Sequence, residues 1–184
     1  MEITLKQEQL TFFTDRYDVF ENGIPIFKAR SVFFSFPKRI NVVNLNNIEV
    51  IRITKAITFF YPEFEIHFTN GTTLSLEGKS WMYEQFNIRI PEGTIQVHQQ
   101  KGVLLALFLN DEQIGIIKKK KISFFGGDEY NIKANSDIGK ELLIAICLAW
   151  DIHNSDNGNN IISLDLGNIG PVKKEGIKNW EPLR

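Results

Sequence analysis

The chain has 184 residues, of which 43% are hydrophobic and 23% charged, and a formal net charge of −1. That length suits one ordinary domain, able to bury roughly two thirds of its unfolded surface. The near-neutral balance excludes a global field that would draw the chain to nucleic acid or an anionic membrane, so any such contact needs a local patch. The single cysteine, Cys147, excludes an intrachain disulfide.

The opening stretch MEITLKQEQL has no basic start followed by an apolar block, so no secretory signal is expected and cytoplasm is the default location. A repeat then runs along the chain: LTFFTDRYDVFENG from Leu10, VFFSFPKRINVVNLN from Val32, ITFFYPEFEIHFTNG from Ile57 and ISFFGGDEYNIKAN from Ile122. Each copy has a Phe pair, a short polar or Pro/Gly turn, then two aromatic or apolar residues two places apart. Those residues are Tyr17/Val19, Ile40/Val42, Phe64/Ile66 and Tyr130/Ile132. A worn fifth copy, KSWMYEQFNIRI, carries Trp81-Met82 in place of the Phe pair and Phe86/Ile88 after it.

Period-2 alternation after each turn is a strand signal, with one apolar and one wet face. Asn-Gly at 22–23 and 70–71 and the polar NLNN and NDEQ segments separate the copies. The pattern predicts about twelve strands, near 3–13, 15–21, 24–34, 38–44, 48–60, 63–69, 72–82, 85–90, 94–98, 103–109, 113–125 and 128–134. The Phe pairs are expected to furnish a barrel, one member inward. An exposed Phe row at one barrel end, meeting a membrane or partner, is the alternative.

ELLIAICLAW, Glu141 to Trp150, follows the last strand and has no polar face after its acid. A helix over about 137–153, capped by Ser136 or Asp137, is predicted. It falls short of the roughly 20 apolar residues of a membrane span, so a buried core helix is expected. An interfacial or spanning helix and a buried strand are the alternatives. Cys147 in its middle reads as a structural thiol. Antiparallel strands in series tend to be neighbours, and closing their sheet removes its edges. A twelve-stranded barrel is too wide for its own side chains to fill, and an apolar helix would fill it. The expected fold is mainly β: a closed antiparallel barrel of about twelve strands around one central hydrophobic α-helix near the C-terminus.

YDVFENGIPIFKARSVFFSF, VIRITKAITFFYPEFEI and IGIIKKKKISFF, closed by GKELLIAICLAWD, resemble the tubby C-terminal-like superfamily. The nearest branch is the LURP-one-related (LOR) group, and phospholipid scramblases resemble the same fold. The resemblance spans residues 3 to about 153. It implies a β-barrel threaded by a hydrophobic helix, and a choice of roles: phosphoinositide headgroup binding as in tubby proteins, a scramblase-like lipid role, or the largely uncharacterised role of the LOR group. No tubby-type Lys-x-Arg lipid site is matched, since KAR at 28–30 lies on an early strand, and no acidic calcium loop is present.

The strongest charge feature is the run Lys118, Lys119, Lys120, Lys121, the candidate anion or lipid patch. On a strand Lys118 and Lys120 face one side and Lys119 and Lys121 the other. A ladder outside the barrel, joined by Lys55 or Lys133, would bind lipid phosphates; a solvated face or edge protection is the bland alternative. No metal site is expected from His67, His98 and His153, far apart in sequence, or from Asp151 and His153, on different helix faces. No cofactor is expected and no catalytic residue is assigned. There is no Gly-x-Ser-x-Gly, Gly126-Gly127 opens a hairpin rather than a helix, and Asp128-Glu129 is expected to be solvent-exposed in that turn.

Residues 1–154 are thus assigned to the barrel and 155–184 to a C-terminal extension, with NSDNGNN a flexible linker and IISLDLGNI one further strand. The extension is neutral, and Trp180 is its only large apolar anchor. It packs back on the barrel, pairs with a second chain or stays loose. The expected function is a non-enzymatic binding or scaffold protein, peripheral at the membrane if it contacts anionic phospholipid through the lysine patch. A protein-interaction barrel associating through its tail, or a scramblase-like lipid role, is the alternative. Neither a nucleic-acid partner nor a transmembrane span is expected, and the oligomeric state is left open.

Overall fold

Twelve strands and one helix make up the computed structural model, which describes residues 1–11, 14–32, 35–79, 85–100, 104–121, 127–156, 176 and 179–182, with backbone only at 9–11, 14, 121 and 156. The strands are β1 (Glu2–Thr11), β2 (Thr14–Glu21), β3 (Ile24–Ser31), β4 (Arg39–Asn44), β5 (Glu49–Lys55), β6 (Glu63–Phe68), β7 (Thr73–Gly78), β8 (Gln85–Ile90), β9 (Gly93–Gln99), β10 (Leu104–Leu109), β11 (Glu112–Lys121) and β12 (Asp128–Ala134). Each pairs antiparallel with its neighbour in sequence, and β1 pairs with β12, so the sheet closes into a barrel without edges.

Alternation sets the two faces. Tyr17/Val19, Ile40/Val42, Phe64/Ile66, Phe86/Ile88 and Tyr130/Ile132, the paired residues of the sequence repeat, are all buried in one core cluster. That cluster draws inward residues from all twelve strands and joins them to helix α1 (Lys140–Asp156). Leu143 to Ile152 are buried without a break. A helix with no solvent face must be enclosed. The closed wall encloses it, and Cys147 is buried among its neighbours. Among the described residues no helix is long and apolar enough to cross a membrane.

Three strands and the helix differ in extent from the sequence expectation. β3, β5 and β7 stop at Ser31, Lys55 and Gly78 instead of running through their aromatic pairs. Proline lacks the N–H a ladder needs and restricts the residue before it; Pro37 and Pro62 follow these strand ends. The Pro62 ring also lies where a Cβ on Gly78 would fall, 2.7 Å away. Phe59 and Phe60 therefore stand in a connection, both exposed, and neither points inward as barrel furniture. Phe12, Phe13, Phe33, Phe34, Trp81, Met82, Phe124 and Phe125 lie outside the described residues, as does IISLDLGNI. The helix starts at Lys140, not near 137, because the Gly139 carbonyl accepts the first bonds, from the Leu142 and Leu143 amides at 3.1 and 3.2 Å. Ser136 and Asp137 are exposed in the turn before it and do not cap it.

Strand alternation sorts the connections between the two ends of the barrel. One end holds 22–23, 45–48, 69–72, 91–92, 110–111 and the entry of α1. Segments 32–38 and 56–62, and the last turn of α1, belong to the other. Outside the barrel, Trp180 packs on Leu104 and Ile116 of β10 and β11, and Glu181 meets Lys133 at 2.7 Å. The outward residues of β10 are covered by Trp180 at Leu104, by Gly176 at Ala106 and by His98 at Phe108, so β10 is buried on both faces from Leu104 to Phe108.

Candidate functional site

The wet faces of β2 to β6 carry a line of basic and polar side chains. Cross-strand register places Arg16 opposite Arg30, Arg30 opposite Asn41, Asn41 opposite Arg52, and Arg52 opposite His67. Each is held outward by an apolar neighbour turned to the core: Tyr17, Ala29, Ile40 and Val42, Ile51 and Ile53, and Ile66. Arg39, two residues before Asn41 and on the same face, extends the line toward the end with the long connections.

Like charges directly opposite one another weaken a sheet, yet Arg16 and Arg30 are so placed. Arg52 is neutralised by Glu49 at 2.7 Å. His67 is bonded to Thr73 at 2.9 Å and approaches Glu65 at 3.4 Å. Arg16, Arg30 and Arg39 make no ion pair with a carboxylate among the described residues. Arg39 Nε and Asn41 Oδ1 are buried without a hydrogen-bond partner. Two clefts open on this wall. One of about 380 Å³ is lined by Arg39, Arg52, Thr54 and His67, with Glu49 and Glu65 also on its wall. The other, about 540 Å³, is lined by Arg30, Ser31, Asn41 and Asn47 with two valines. Guanidinium forks beside an amide on a concave wall suit a phosphate or carboxylate, whose oxygens accept paired N–H bonds.

The lysine run is divided by the same alternation. Lys118 and Lys120 are exposed on the outer wall, while Lys119 turns into the barrel; the side chain of Lys121 lies outside the described residues. Lys118 stands opposite Asn131, and Lys120 opposite Glu129, whose other cross-strand neighbour is Lys6. Signs thus alternate here, whereas in the arginine line an acid, Glu8, stands opposite Arg16 only from the β1 side. Lys133 lies on the adjacent strand but is taken up by Glu181. Lys55 does not join the ladder, because β5 is not a neighbour of β11.

Inside the barrel mouth Lys119 belongs to a polar layer on β11, β12, β1 and β2. Its ammonium is 2.5 Å from Asp128 and 3.5 Å from Asp151 of the helix, and lies 5.2 Å from the Tyr130 ring centre. Asp128 is therefore partly buried and paired, contrary to the exposed turn expected for Asp128-Glu129. Asp151 accepts bonds from the Tyr17 and Tyr130 hydroxyls. Gln7 closes the layer. Its amide group donates to Asp15 at 3.0 Å, and its oxygen accepts from the Asp128 amide at 3.1 Å. A Cβ on Gly127 would fall 2.0 Å from the Gln7 carbonyl oxygen, so only glycine permits this approach.

Burial, then the Asp151 charge, holds both tyrosine hydroxyls above their ordinary pKa, so they stay donors. Burial and Asp151 likewise push the Cys147 thiol up, which leaves it unreactive. The Asp15 carboxyl is raised by burial first and by Asp151 second, with Lys38 opposing. Chemically the layer ties the last turns of the helix to four adjacent strands.

Neither the arginine line nor this layer was singled out from sequence. A signal existed for the first: FKAR, KRIN and VIRIT each put a basic residue at a wet position of consecutive strands. For the second, the hints were one acid ending the apolar run and a lysine run whose alternation sends some members to the inner face. The three histidines stay apart: His98 packs edge-on to Phe108, His153 to Phe86, and His67 is on the outer wall.

A family model for LURP-one-related (LOR) proteins matches residues 1–151. No curated protein and no solved structure gives a match to the chain.

Proposed function

The chain belongs to the LURP-one-related family, and from that premise we propose that it is a non-enzymatic binding module whose outer wall holds anionic phospholipid headgroups, making it peripheral at a cytoplasmic membrane face. The observation that carries this reading is the arginine line: Arg16 against Arg30, and Arg39 beside them, with no ion pair among the described residues although Glu8 stands across from Arg16, around an Asn41 whose carbonyl oxygen is unmet. An anion supplies the missing charge, and an inositol or serine headgroup supplies hydroxyl or ammonium donors for the amide oxygen. The resemblance to tubby-like proteins, which bind phosphoinositide headgroups through basic barrel residues, points the same way. Lys118 and Lys120 add a weaker attraction from β11. The extension after helix α1 packs back on the barrel in this reading through Trp180 and Glu181. Trp180 on its own β10 and β11 favours that over association through the tail.

Vesicle co-sedimentation tests the proposal. Binding to phosphatidylcholine vesicles containing phosphatidylserine or a phosphoinositide is expected to exceed binding to phosphatidylcholine alone and to weaken with salt. Arg30→Gln with Arg39→Gln is expected to lower it more than Lys118→Ser with Lys120→Ser. Equal affinity for neutral and acidic vesicles, or an unaffected arginine variant, would sink the arginine site.

A further inference from the structure

The two connections that leave the arginine wall carry aromatic tips. Segment 32–38 presents Phe36, 88% exposed, and segment 56–62 presents Phe59 and Phe60, 95% and 86% exposed, with Ile57 and Tyr61 beside them. Isolated exposed apolar residues are common, but a cluster of this size marks an interaction surface. These tips are held out by hydrogen bonds at their bases. The Ser35 hydroxyl donates to the Val32 carbonyl at 3.0 Å and accepts from the Arg39 amide at 3.0 Å. The Lys55 amide reaches the Lys38 carbonyl at 2.9 Å, joining the two connections, and the Ala56 amide reaches Glu63 at 2.8 Å.

Charge selects the occupant. Arg30, Lys38, Arg39 and Lys55 border the tips at the ends of β3, β4 and β5, and the one acid that follows segment 56–62 directly, Glu63, accepts a bond from Ser75 at 2.9 Å. A bilayer has this layering, with apolar chains beneath a surface of phosphates and aromatic side chains favoured at the boundary. A second copy does not match it, because a two-fold contact sets each patch against itself and would oppose the cations.

We infer that Phe36, Phe59 and Phe60 enter the interfacial zone of an anionic bilayer, seating the barrel end-on with Arg30 and Arg39 at the level of the phosphates. This rests on the headgroup reading and adds to it an orientation and an apolar component. The aromatic tips supply affinity that a soluble headgroup cannot report.

The full chain carrying Phe60→Cys, labelled with an environment-sensitive dye, tests this, since Cys147 is buried and its thiol is pushed up. With vesicles of phosphatidylcholine and phosphatidylserine the dye is expected to shift to the blue and to be quenched by acyl-chain quenchers. A dye at Asn22→Cys, at the opposite end, is expected to do neither. Phe59→Ser with Phe60→Ser is expected to weaken vesicle binding by about tenfold or more, leaving binding of soluble inositol phosphates and the melting temperature unchanged. Acidic vesicles bound with an unshifted Phe60 dye and an unaffected double variant overturn insertion while sparing the headgroup site. Inositol phosphate bound but no vesicle bound has the same meaning. Loss of both forms of binding overturns insertion together with the reading beneath it. A dye shift that follows protein concentration without lipid overturns insertion in favour of self-association.

Discussion

The two ends of the barrel are built from the same twelve strands and differ in their connections: both expose apolar side chains, aliphatic Ile24, Leu45 and Ile48 at one end and aromatic Phe36, Phe59 and Phe60 at the other. At the end where α1 enters, β2–β3 and β10–β11 are joined by two residues each. Asn22 and Gly23 have φ of 49° and 80°, Asn110 and Asp111 of 49° and 73°. Positive φ at both positions matches the twist of the flanking strands, and Asn, Asp and Gly tolerate it best. At the other end the connections 32–38 and 56–62 are long, carry exposed phenylalanines and surround a mouth filled by Asp151, Lys119, Asp128 and Asp15. One end is a set of minimal hinges. The other spends residues that the strand pairing does not need, and those residues are where binding is proposed.

The sharpest way to break this contrast is to remove Asp151. Asp151→Ala leaves the Tyr17 and Tyr130 hydroxyls without their acceptor and Lys119 with Asp128 alone as its counter-charge. Urea unfolding is expected to show a loss of about 2–6 kcal/mol, about 1–3 for each buried hydroxyl left unsatisfied, with Asp151→Asn recovering part because its amide oxygen still accepts. A loss under about 1 kcal/mol would mean the layer does not anchor the helix. Next in size, Arg30→Gln with Arg39→Gln is expected to weaken acidic-vesicle binding about tenfold, the effect of two lost phosphate contacts. Arg89→Gln on β8, toward the hinged end, is expected to change it less than about twofold. Equal losses from both would assign binding to net charge and erase the difference between the ends.

Substitution in a hinge should do the reverse. Gly23→Ala is strained at φ 80° although its surroundings are open, so it is expected to cost about 1 kcal/mol in stability and nothing in vesicle binding. The smallest effect concerns Asp15. Its carboxyl is raised in the folded state from an ordinary 3.8, so the folded chain binds the proton more tightly than the unfolded chain. Stability then falls as pH rises from about 4 through the raised folded value, and the cost is complete above it. Asp15→Asn keeps the Gln7 contact without the charge. Melting curves are expected to show it slightly more stable than the parent at neutral pH and equal to it below pH about 4. A parent that gains stability across that window would contradict the assignment.

Legibility differed by distance along the chain. The inward residues were readable because Tyr17/Val19 and their counterparts sit two apart on one strand, and strand geometry sends both to one face. The Asn-Gly hinges were readable for the same local reason. The ends of β3, β5 and β7 were not. A Phe pair fits a strand as well as a loop, and the Pro62 ring reaches Gly78, the last residue of β7, from another connection. The lysine run showed that alternation would turn one member inward. It did not show that Asp128 and Asp151 would be waiting for Lys119, since those residues reach it through strand pairing and the path of the helix.

Period and composition by themselves pointed to strands with one dry face, to an apolar segment near 137–153 best read as an enclosed helix, and to no overall charge that directs binding. Tertiary structure alone decided which wet residues became neighbours. Arg16, Arg30, Asn41 and Arg52 come from four strands, and only the register of those strands lines them up. A side chain's face depends on the backbone beside it, whereas its partners depend on how distant segments align.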